Sequence, residues 1–85
     1  MSKLSDKQGK FVEYNARSLD LSYEEENLLL RIPFIEMSAV ECETLVDSMW
    51  EYARRAPHDH ETKNFIRATI YDIIMAHKEE LAKIK

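Results

Sequence analysis

Met37-Ser38-Ala39-Val40-Glu41-Cys42 is the stretch on which the reading of this chain turns. Ser38 and Glu41 stand in the spacing S-x-x-E. There the serine oxygen accepts from the N3 amide, and the N3 glutamate reaches back to the serine amide. Met37 and Cys42 occupy the N′ and N4 positions, where an apolar pair fixes the entry of the chain. Downstream, Ala39, Cys42, Leu45, Val46, Met49, Trp50, Tyr52, Ala53 and Ala56 fill one continuous arc of ~160° on a helical wheel. Glu41, Glu43, Thr44, Asp47, Ser48, Glu51, Arg54 and Arg55 fill the remainder. The spacing predicts a helix over 39–56 with an apolar arc wide enough to touch more than one neighbour.

The same signal occurs upstream as Ser22-Tyr23-Glu24-Glu25. It predicts a short helix over 23–31, with Glu24, Glu25 and Glu26 at the positive end of the dipole and Arg31 at the negative end. Leu28, Leu29 and Leu30 are consecutive and cannot share one face, which implies a helix wedged between neighbours. Pro33 is expected to stop that helix and to push Ile32 toward extended geometry. A further helix is predicted over about 5–18, where Leu4, Phe11, Val12 and Leu19 fall on one side. Gly9 weakens its first turns, because glycine costs a helix interior ~1 kcal/mol relative to alanine. Asp59 opens the last segment, from His60 to near Ile84. Ile66, Ile70, Ile73, Ile74, His77, Leu81 and Ile84 form its main stripe, spaced as in a bundle seam. A second, weaker patch lies opposite: Ala68, Tyr71, Met75 and Ala82.

The expected fold is all-α: a compact bundle of three main helices plus one short helix, in a single domain over 1–85. One Gly and two Pro among 85 residues leave little room for hairpins, and 45% apolar with 33% charged residues suits a folded helical chain. The net charge of −4 argues against phosphate-backbone binding, which needs clustered Lys and Arg. Arg54-Arg55 is better explained as charge complementing a helix end. No apolar run approaches membrane-spanning length. Neither nucleic acid nor membrane is therefore expected as a partner. A single cysteine gives no disulfide framework, and with no leader-like stretch after Met1 the expected location is the cytoplasm.

His58-Asp59-His60-Glu61 is the densest group of metal-ligand types. Imidazole and carboxylate suit Zn or Ni. Yet His58 and His60 diverge once helical, and Asp59 and Glu61 are explained as a cap and a dipole complement. No metal and no cofactor is expected. His77, on the main stripe, reads as a core histidine donating to a carbonyl or side chain, or alternatively as a pH-sensitive group. Cys42 reads as a small core residue rather than a nucleophile. Gly-rich phosphate loops, G-x-S-x-G, H-E-x-x-H and C-x-x-C are all missing from the chain.

What remains is surplus apolar surface. Trp50 and Tyr52 bracket the edges of the 39–56 arc, and Tyr71 and Met75 lead the second patch of the last helix. Tyr and Trp are enriched among interface hot spots, so Trp50, Tyr52, Tyr71 and Met75 are the candidate partner-binding residues. The expected function is a small non-enzymatic interaction or regulatory domain inside the cell. It binds a protein partner, or a second copy as a homodimer, through helix faces. The alternative is a metal- or small-ligand-binding helical domain using His58, His60 and His77. A minor enzyme subunit is a third possibility.

Overall fold

The computed structural model describes residues 2–55 and 59–84. Helices α1 (Asp6–Ala16) and α2 (Tyr23–Arg31) are followed by a 3-10 turn, Ile32–Phe34. Then come α3 (Ala39–Arg54), α4 (His60–Ala76) and a short α5 (Lys78–Ala82). The fold is all-α, as expected. Helix α3 lies between α1 and α4, and α2 closes the ring by packing on both α4 and α1.

The helix starts carry the physics expected of them, with two amendments. Ser38 Oγ accepts from Glu41 N at 3.1 Å and Glu41 Oε1 accepts from Ser38 N at 3.0 Å, a complete box. At Ser22 only half forms. Ser22 Oγ accepts from Glu25 N, but Glu25 Oε1 takes the serine hydroxyl proton at 2.8 Å rather than the backbone one. The second amendment is a box in α1, where Gln8 plays the glutamate's part and reaches back to Ser5 N at 3.0 Å. That box starts α1 firmly at Asp6, ahead of Gly9. Ser38→Ala is expected to cost ~1 kcal/mol in denaturant unfolding, and Ser22→Ala less, because the complete box lies on the main core helix. Equal and negligible losses would contradict the capping account.

Gly9 is buried against the 3-10 turn: a Cβ there would sit 3.0 Å from Pro33 Cγ. The glycine thus lets Pro33 dock on α1. Pro33 itself sits in the first turn of the 3-10 segment, where a missing N–H leaves no partner unsatisfied. Ile32 consequently stays helical, at φ −53° and ψ −38°, and the chain becomes extended only at Ile35. The expectation of an extended Ile32 is corrected on this point.

The core gathers Leu4, Val12, Leu19, Leu29, Ile32, Met37, Leu45, Met49, Ile66, Ile70, Ile74 and Leu81. Two short links hold the loops to it. Ser2 and Met37 exchange backbone hydrogen bonds at 2.7 Å each, tying the N-terminal residues to the entry of α3. Asp20 adopts a left-handed φ of 56°, tolerated by its short polar side chain, and meets Lys63 Nζ at 2.9 Å.

The last helix is not continuous. It breaks at His77, at φ −119° and ψ 19°, where the backbone N–H is shared between the Ile73 and Ile74 carbonyls. Beyond the break α5 packs on α2, Leu81 is fully buried, and Arg31 donates to the Leu81 carbonyl at 3.3 Å. A straight helix carries its stripe along one line, whereas the bend returns Leu81 to the core.

Candidate functional site

Tyr52 does not belong to any surface. It is 1% exposed, and its hydroxyl donates to the Ser18 carbonyl at 2.9 Å, just past α1. Its placement at an arc edge was right on the wheel, but the chain just past α1 meets it there, so it is buried rather than exposed. Trp50, at the opposite edge, is 57% exposed. Its ring centroid lies 4.9 Å from that of Phe11 on α1, with the planes tilted by 36°. Aromatic pairs at that separation hold one another, so Trp50 presents a fixed face rather than a loose side chain.

Tyr71 and Met75 are 51% and 44% exposed on the outer side of α4, and Ala68 and Ala82 are exposed as well. The sequence reading missed Phe65, which is 71% exposed on the same helix. Phe65, Ala68, Asp72 and Met75 follow the spacing 3-4-3, so all four share one outward line. That spacing was the available signal. Phe65 also leans over an open cleft of about 470 Å³ between α3 and α4, lined in addition by Ser48, Glu51, Arg55 and Thr62. Phe34, Val40, Tyr14 and Tyr23 are further exposed apolar or aromatic side chains outside this line.

Of the candidate metal ligands, His60 and His77 lie at opposite ends of α4. His60 is exposed at the start of α4, and His58 lies outside the described residues. Among the described residues, no three His, Cys, Asp or Glu side chains are grouped as metal ligands. Cys42 is buried, and burial followed by the nearby Glu41 charge pushes its thiol pKa up. Its Sγ donates to the Ser2 carbonyl at 3.7 Å. A thiol kept protonated in this way is a poor nucleophile.

His77 does make a specific contact. Nε2 lies 2.8 Å from Glu41 Oε2, and Nδ1 lies 3.4 Å from Glu80 Oε1. Its side chain is 12% exposed. Burial opposes the charged ring, but the hydrogen bonds and charges of Glu41 and Glu80 outweigh it and raise the pKa above 6.5. Glu41 is lowered below 4.5, first by the Ser38 backbone N–H and, against its own burial, by His77. The glutamate that caps α3 thus also anchors the break between α4 and α5.

The sign of the pH effect follows from both shifts. A raised histidine pKa contributes stability that is fully present below 6.5 and is lost as pH rises through the raised value. The lowered Glu41 contributes above 4.5 and is lost as pH falls through its own value. The pair is strongest between those limits. As pH rises above 6.5, the unfolding midpoint of the wild type is expected to fall more steeply than that of His77→Gln. Parallel slopes in the two proteins would show that the contact does not sense pH.

The described residues therefore bring together an outward line on α4 and an aromatic pair across α1 and α3, while Tyr52 joins the core and His60 and His77 stand at opposite ends of α4. No protein-family model matches the chain, and neither curated proteins nor solved structures give a match.

Proposed function

We propose that this chain is a small non-enzymatic interaction domain that binds a protein partner, or a second copy of itself, through helix faces. The observation that carries this reading is the outward line of α4. Phe65, Tyr71 and Met75 keep about half or more of their surface in water although the bundle has a complete core of its own. Single exposed apolar residues are ordinary. Three within three helical turns, around the small Ala68, form a contiguous patch of the kind that marks interaction sites. Trp50, braced by Phe11, offers a second anchor on another face.

Sedimentation at micromolar concentration, alone and with cross-linked cell extract, tests the reading. Tyr71→Asp or Trp50→Asp is expected to weaken an association while leaving helix content intact. A wild type that stays strictly monomeric, with no cross-linked product sensitive to either substitution, would overturn it.

A further inference from the structure

Resting on that reading, we infer that the outward face of α4 takes a basic amphipathic helix from a different protein, rather than a second copy of this chain.

The shape of the face suits a helix. From Phe65 to Met75 the patch runs ten residues, ~15 Å at 1.5 Å per residue. That is about three turns, the length over which a bound helix places anchors at i, i+3, i+4 and i+7. Phe65 and Met75 stand at the ends and Ala68 leaves a notch between them. Tyr71 flanks the line on the side away from the α3 cleft.

Charge selects the occupant. Asp72 lies in the line itself, and Glu61 lies one turn before Phe65; both are exposed. Neither has an ion-pair partner among the described residues, unlike Glu51, which is paired with Arg54 and Arg55. The two cations of α4 are turned elsewhere. Lys63 Nζ is held 2.9 Å from Asp20, and Arg67 acts on the same carboxylate. Glu61 and Asp72 thus fringe the line without an ion-pair partner among the described residues, while the nearby cations stand at its two ends: Arg55, paired with Glu51, in the cleft beside Phe65, and Lys78 beside Met75. A partner with Lys or Arg beside its apolar anchors would meet Glu61 and Asp72 with opposite charge.

A second copy fits poorly. An antiparallel mate that sets Phe65 of one chain against Met75 of the other brings the two Asp72 residues within ~6 Å along the axis. A parallel mate brings them level. Either arrangement buries like charges against each other, which disfavours that pairing.

Two labelled synthetic helical peptides of about four turns test the inference, one with leucines at the seam positions and Lys/Arg flanks, the other with Glu flanks. Fluorescence anisotropy with the whole chain at low salt is expected to show the basic peptide binding at least about tenfold more tightly. Ala68→Arg, which fills the notch and adds a cation, should abolish that binding, and Asp72→Lys should shift preference toward the acidic peptide. Tyr14→Ser, exposed on α1 and away from this line, should leave both unchanged. Because all these positions are exposed, unchanged helix content is the control for folding. Equal binding of the two peptides, or binding insensitive to Ala68→Arg, overturns the inference. So does self-association that Ala68→Arg disrupts, because a second copy then covers the face. If neither peptide binds but a cross-linked partner is lost on Ala68→Arg, the partner chemistry is wrong and the interaction reading survives. If no association of any kind responds to these substitutions, both fall.

Discussion

Leu45→Ala is expected to destabilise the fold by about 2–5 kcal/mol, read as a lower midpoint in urea with the slope unchanged. Leu45 is completely buried at the middle of α3, where α1 and α4 both pack. Truncation removes the transfer free energy of three carbons and leaves a cavity that two helices must collapse to fill. Domains of this size have stabilities of roughly 5–15 kcal/mol, and a short chain lies toward the lower part of that range. The loss is thus a large fraction of the whole, and the variant would be partly unfolded at ordinary temperature. Ile73→Ala should fall lower in the same range, since Ile73 keeps 6% of its surface exposed at the rim of the core. An unchanged midpoint for Leu45→Ala would mean that α3 presents another face to its neighbours.

Much of the bundle was legible because its signals are local. A capping serine and its glutamate are three residues apart, so the α2 start at Tyr23 and the α3 start at Ala39 follow from sequence. The Ser5–Gln8 box carries the same chemistry in a less familiar form, since a glutamine amide oxygen accepts the backbone proton as a carboxylate does. Periodicity likewise gave Ile66, Ile70, Ile73, Ile74 and Leu81 as the buried stripe.

The corrections share one cause, which is contact between residues far apart in the chain. Gly9 reads locally as a weakness and spatially as the seat of Pro33. No local breaker interrupts the last helix at His77. Its ring is held by Glu41, thirty-six residues away, and the chain beyond it turns to bury Leu81 against α2. Phe65 stood in plain view three residues before Ala68, but periodicity alone does not say which of two apolar stripes is covered. That depends on how many helices surround α4, and the ring of α1, α3, α4 and α2 leaves one side of it open. The exposed patch is therefore a product of topology, as is the cleft beside Phe65.

Tyr52 separates core from interface most sharply, and the two readings predict opposite outcomes. Buried as it is, Tyr52→Ala should cost ~3–5 kcal/mol, since an aromatic ring leaves one of the largest cavities a single substitution can make. Tyr52→Phe should cost ~1 kcal/mol, because the ring stays in place while the hydroxyl's bond to the Ser18 carbonyl is lost. Ser18 is itself exposed, so water can replace the lost donor. Trp50→Ala, at the exposed edge of the same helix, should cost ~0.5–1.5 kcal/mol through its contact with Phe11. Thermal and denaturant unfolding of the three variants, followed by far-UV circular dichroism, gives the ordering directly. If Tyr52→Ala left the midpoint near that of the wild type while abolishing association, the side chain would be acting at a surface. The packing of α3 against the segment that follows α1, where the Tyr52 hydroxyl meets the Ser18 carbonyl, would then be wrong.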